Sequence, residues 1–160
     1  MKLLIPIAVF AVVVGCSLPP EADYAARAND IWGKYSALAK QNAEREVAAR
    51  TKGMPDPREL QERLEAGKRD LAELERLKKQ LDEIVPPESM AAFHESFSAG
   101  LETTQTHWKR LAKARENRDD KEVAKMAREA GQTLQQLGNN MVEMAKSHGL
   151  QWKAPDLGKL

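Results

Sequence analysis

With 160 residues, the chain has the length of one ordinary domain, and its 42% apolar share is enough for a core. Its 25 lysines and arginines nearly balance 24 aspartates and glutamates, so no net field draws it to nucleic acid or anionic lipid, which argues against a cationic binding module. The single cysteine, Cys16, rules out an internal disulfide.

Met1-Lys2 is a short positive start, followed by the twelve-residue apolar run Leu3–Val14. A membrane-spanning helix needs about 20 residues, so this run is too short to cross comfortably. It fits the apolar region of an export signal, with the small residue Gly15 at the expected cut. Val13-Val14-Gly15-Cys16 resembles the lipobox of bacterial lipoproteins. The resemblance implies that Cys16 receives a diacylglyceryl group, that cleavage falls between Gly15 and Cys16, and that the new amine takes a further, palmitate-type chain. One departure is the single lysine of the leader, where that family usually carries two or more; an uncleaved anchor is the alternative. Loss of Lys2 with the leader takes the 25 basic residues to 24, equal to the 24 acids. Two or more acyl chains hold a protein stably on a bilayer. Aspartate after the cysteine is the usual signal for inner-membrane retention, and Ser17 stands there instead. The expected location is therefore the cell envelope, on the periplasmic face of the outer membrane if the host has one.

Ser17–Pro20 is a short stiff spacer reaching roughly 14 Å at ~3.5 Å per residue. Helix one is predicted to start near Pro20, with Glu21 and Asp23 favouring its dipole. Its apolar stripe runs Tyr24, Ala28, Ile31, Tyr35 and Leu38, widened by Trp32. Beyond Leu38 the register lands on Asn42 and Arg45, so the second half is expected to pack loosely or fray before Gly53-Met54-Pro55. Helix two opens with Asp56 as cap, Pro57 in the first turn and Glu59 behind it. Its seam is Leu60, Leu64, Leu71, Leu74, Leu81 and Val85, with Leu77 and Ile84 alongside.

Val85-Pro86-Pro87-Glu88 is a corner, since two prolines stop one helix and Pro87-Glu88 can open the next. Helix three carries Met90, His94, Phe97, Leu101, Thr104, Trp108 and Leu111 on one heptad series, broadened by Phe93 and Ala112. Asn117-Arg118-Asp119 turns the chain into helix four, whose seam is expected at Val123, Ala127, Ala130, Leu134, Leu137, Met141, Met144 and His148. A second stripe, Ala124, Gly131, Gly138 and Ala145, repeats every seven residues. Mid-helix glycine costs about 1 kcal/mol against alanine, which suggests a close helix neighbour, or a second copy, along that line.

The expected organisation is a leader at 1–15, the lipidated cysteine and linker at 16–20, a helical bundle at 21–149 and a tail at 150–160 in which Leu150, Trp152 and Leu157 can fold back. Helices of roughly 28 to 30 residues, near 43 Å at ~1.5 Å per residue, joined by short connections, predict an all-α, up-down-up-down antiparallel four-helix bundle. A three-helix bundle with a loose first helix is the alternative. The body, with its Pro-Pro-Glu corner followed by Phe-His, is similar to helical domains of many bacterial lipoproteins of unassigned function, a likeness that transfers no functional residues. An anchored Cys16 places the Val85–Glu88 corner and the end of helix four near lipid. The mixed charges around residues 51–56 and 117–120 then lie at the far end, read as solvated surface or, alternatively, as a docking surface for an envelope partner.

Candidate chemistry is sparse. His94 and His148 fall on expected seams near one end, with Met90, Met141 and Met144 close by. Histidine and methionine are haem or copper ligands, so His94, His148, Met90 and Met144 form a candidate metal set. Core packing is the competing reading for the methionines. No Glu-x-x-His, Cys-x-x-Cys-His, Gly-x-Ser-x-Gly or His-Glu-x-x-His occurs, and acylated Cys16 is no nucleophile. His107 is expected on the surface. The expectation is a non-catalytic structural or protein-interaction module, without a cofactor apart from its covalent lipid; a haem- or copper-binding bundle is the alternative.

Overall fold

The computed structural model describes residues 20–51, 56–150 and 152. These form four helices, α1 (Pro20–Thr51), α2 (Pro57–Asp82), α3 (Ala91–Glu116) and α4 (Asp120–Ser147), with one 3-10 turn, Glu88–Met90, leading into α3. No strand occurs among the described residues, and none of their helices is long and apolar enough to cross a membrane.

Helix boundaries follow local chemistry. Asp56 caps α2 by accepting the Glu59 N–H at 2.8 Å, with Pro57 supplying the first turn. Asp119 caps α4 the same way, taking the Glu122 N–H at 3.0 Å. At the end of α3, Arg118 enters the left-handed region (φ 54°), and the Asp119 N–H reaches the Ala114 carbonyl at 3.0 Å. Gly149 (φ 71°) closes α4 with the Leu150 N–H on the Ala145 carbonyl at 2.8 Å. That turn sends the chain back toward the bundle.

The architecture is an antiparallel four-helix bundle. α3 packs on both α2 and α4, α1 packs on α2, and α1 meets α4 only sparingly. Side chains from α1 also reach α3 across the core at a constant sequence offset: Tyr24 with His94 (70), Tyr35 with Thr104 (69) and Glu46 with Arg115 (69). A constant offset means that α1 and α3 run parallel on the diagonal, as up-down-up-down topology requires.

The two ends of the bundle differ. Toward the start of α1, Tyr24, Trp32, Tyr35, Phe93, Phe97 and Trp152 form a buried aromatic core. Trp152 stacks on Trp32 at 5.3 Å and presents its edge to Phe93 (4.9 Å) and Phe97 (5.8 Å). The segment after α4 thus belongs to the core, as expected for Trp152 and for Leu150, which packs against it; Leu157 lies outside the described residues.

Several sequence expectations need correction. Val85 is 87% exposed instead of lying on the α2 seam. α2 stops at Asp82, Ile84 turns inward, and the extended run into Pro86 breaks the heptad phase. α1 does not fray after Leu38; it continues to Thr51, with its polar register satisfied by α2 and α3. The buried strip of α4 is Met126, Ala130, Leu134, Gly138, Met141 and Ala145, while Val123, Ala127, Leu137 and Met144 are only half-buried and His148 is exposed. Because α4 faces both α3 and α1, its most buried line falls between the two stripes read from the sequence.

The Leu137 side chain of α4 packs directly over Gly100 of α3. A Cβ there would collide with both methyls of Leu137 and stand 3.1 Å from its Cγ. Gly100→Val is therefore expected to destabilise by about 1–3 kcal/mol through overpacking, outweighing the small gain from removing a helical glycine. Urea denaturation checks this, and an unchanged or raised midpoint refutes it.

Candidate functional site

The lipidation and cleavage residues, Cys16 and Gly15, lie outside the described residues. What the structure places is the end of the bundle nearest to them in sequence. α1 begins at Pro20, and beside its first turns sit the α2–α3 corner, the start of α3 and the end of α4. The Ser89 hydroxyl donates to the Glu21 carboxylate at 3.3 Å, joining the α1 start to that corner.

The candidate metal residues occupy different environments there. His94 is half-buried, with Nδ1 3.3 Å from the Tyr24 hydroxyl and its ring 5.9 Å from the tyrosine ring. His148 is exposed, not on the core seam, because α4 ends at Ser147 and leaves it as the C-cap; its ring meets the edge of Phe93 at 6.4 Å. Met90 is buried at 3% exposure, Met141 is fully buried and Met144 is half-buried, all packed with the aromatic core. The two imidazoles thus engage different partners, His94 on α1 and His148 on α3. Among the described residues no three His, Cys, Asp or Glu side chains come together as a metal-binding group.

The electrostatics are local. Burial is the largest influence on His94 and holds its pKa below the ordinary 6.5, against the opposing pull of Asp82 and Glu95. Burial pushes the Tyr24 hydroxyl up to about 12. For Asp82 burial works upward, but hydrogen bonds from Lys78 (2.7 Å) and Ser98 (2.9 Å) outweigh it and hold the carboxyl below its usual range. A depressed imidazole binds its proton more readily in the unfolded chain. Stability should therefore be level above the ordinary imidazole value and fall as pH drops through about 6.5. His94→Gln is expected to flatten that part of the profile. Denaturation midpoints measured across this range check it, and a slope that survives the substitution excludes His94 as its source.

Beyond the aromatic end, the polar register of α1 that was expected to loosen the helix meets buried partners. Asp70, only 5% exposed, accepts from Asn42 at 3.0 Å and pairs with Arg45. Arg115 pairs with Glu46, their side chains 10% and 16% exposed. Arg63 adds a partly buried pair to Glu59 at 2.7 Å. Burial lowers the Arg115 pKa against the favourable field of Glu46, with Arg45 and Arg63 adding to the lowering. This internal ionic cluster links α1, α2 and α3.

Two further readings find their places. His107, expected on the surface, is half-buried at the α3–α4 contact, with Nε2 3.5 Å from the Thr133 hydroxyl and Nδ1 buried without a partner. Of the small-residue stripe, Ala124 is exposed, Gly131 half-buried, and Gly138 and Ala145 buried inside the bundle.

No protein-family model matches the chain, and no curated protein or solved structure matches it either.

Proposed function

We propose that this chain is a lipoprotein of the bacterial cell envelope, held on the membrane through acyl chains on Cys16. Its four-helix body then acts as a non-catalytic structural or protein-interaction module. The observation that carries the reading is Val13-Val14-Gly15-Cys16, closing a twelve-residue apolar run and standing only three residues (Ser17–Pro19) ahead of α1. With three acyl chains the attachment is stable without help from the body. Ser17 in place of aspartate favours the periplasmic face of the outer membrane.

The interaction role rests on what the body contains. Its three histidines sit against Tyr24, Thr133 and Phe93, its buried charges pair with one another, and its cysteine carries the lipid. The test is Cys16→Ala in the native host, with metabolic labelling by an alkyne fatty acid and membrane fractionation. The expected result is loss of label and release from the membrane. A variant that still takes up fatty acid and sediments with membranes refutes the anchor. The partner is then sought by cross-linking the anchored wild-type protein in its own envelope.

A further inference from the structure

We propose that the α2–α3 corner, Val85-Pro86-Pro87, is a second membrane contact, resting on the surface of the same bilayer that holds the acyl chains of Cys16. This rests on the lipoprotein reading above.

Val85 is the only large apolar side chain fully presented to solvent among the described residues, at 87% exposure. Its position gives that exposure a meaning. The corner lies at the end where α1 starts, since the neighbouring Ser89 bonds Glu21 and Ile84 shares a shallow groove with Ala26 and Arg27. Four residue steps from Cys16 to Pro20 span at most roughly 14 Å at ~3.5 Å each. A corner joined to Glu21 therefore cannot stand far from the lipid.

The backbone of the corner suits a headgroup layer. Of three residues only Val85 has an N–H, because proline has none. The Pro87 carbonyl already accepts the Met90 N–H at 2.8 Å. The Val85 N–H and the Val85 and Pro86 carbonyls have no backbone partner among the described residues, so the tip suits the hydrated headgroup layer, where water satisfies them, and not the hydrocarbon. One valine would not bind a membrane alone, but the acyl anchor makes the encounter intramolecular and raises the effective lipid concentration.

Exposed carboxylates stand at the tip: Glu21 at the start of α1, Glu83 before the corner, paired with Lys79 at 3.9 Å, and Glu88 after it. These carboxylates are repelled by anionic headgroups over a Debye length. The surface that fits is neutral or zwitterionic lipid.

The test uses the full-length lipidated protein, in which acylation of Cys16 leaves an introduced cysteine as the only thiol. A polarity-sensitive dye is placed on Val85→Cys and, separately, on Glu116→Cys at the exposed far end of α3, and the proteins are floated on phosphatidylcholine vesicles. At position 85 the expected result is blue-shifted emission, quenched several-fold more by nitroxide lipid than by aqueous iodide. At position 116 the order reverses. Introducing phosphatidylglycerol should return the label at 85 toward water, and unchanged or deeper burial there overturns the headgroup assignment. If the protein floats but the label at 85 is as open to iodide as that at 116, the contact is wrong and the anchor stands. If the protein does not float, the lipoprotein reading fails and this contact fails with it.

Discussion

Replacing Trp152 with alanine is expected to cost about 3 kcal/mol, the range for truncating a buried aromatic, and to lower the melting temperature by roughly 10 °C. The indole stacks on Trp32 at 5.3 Å and meets Phe93 and Phe97 edge-on at 4.9 and 5.8 Å. Each such pair adds about 0.5–1.5 kcal/mol beyond the area it buries. Position matters as much as area. α1 and α4 touch sparingly by themselves, and Trp152, carried on the segment after α4, ties that segment to α1 and α3. Its loss should loosen the aromatic end while leaving the helices formed. Trp152→Phe keeps an edge-on ring and should cost roughly 1 kcal/mol. Thermal unfolding followed by circular dichroism measures both. A loss below about 1 kcal/mol for Trp152→Ala would mean that the segment docks loosely and the core ends with α4.

The helices were legible because their signals are local. Asp56-Pro57 and Asp119 through Glu122 mark starts by groups that bond within one turn, and both are found where expected. The α3 seam was legible because α3 is flanked on two sides and carries large apolar residues throughout, from Phe93 to Leu111. α4 was harder. With alanine, glycine and methionine on several faces, its periodicity allowed two stripes, and contact with both α3 and α1 buried a line between them. His148 was placed on a seam by counting, but a helix that stops one residue earlier turns a seam position into an exposed cap. The second half of α1 was misread for a different reason. Asn42 and Arg45 look like a broken stripe until Asp70 is brought opposite, and that partner lies 25 to 28 residues away on another helix. Periodicity cannot show that two polar residues will satisfy each other. The expectation for Cys16 is of another kind, resting on four adjacent residues and not on the fold.

Arg45→Met is expected to destabilise the bundle by about 2 kcal/mol, whereas Asp70→Leu should change stability by less than about 1 kcal/mol. The asymmetry comes from burial. The Asp70 side chain is 7% exposed and the Arg45 side chain 36%. Without Asp70, the guanidinium swings into water and Asn42, itself half-buried, finds solvent. Without Arg45, the carboxylate stays in the interior with the Asn42 amide at 3.0 Å as its one remaining hydrogen-bond donor and Arg115 as the nearby charge. Breaking a fully buried pair costs about 3–5 kcal/mol, and the exposure of Arg45 lowers that figure. The double variant should behave like Asp70→Leu alone, giving a coupling of about 2 kcal/mol in a double-mutant cycle. Urea unfolding near neutral pH measures all three. If Asp70→Leu proves the more costly single change, the carboxylate is a net source of stability and the argument from stranding fails. A small effect of Asp70→Leu would fit a role for the cluster in register. Sliding α1 by one heptad would set Leu38 where Arg45 now meets Asp70, leaving the carboxylate against an isobutyl group. The Glu46–Arg115 pair would be broken by the same slide. The Tyr35–Thr104 hydrogen bond and the Trp32–Trp152 stack fix the other half of α1, and the polar half that seemed to weaken the helix holds the same register at its far end.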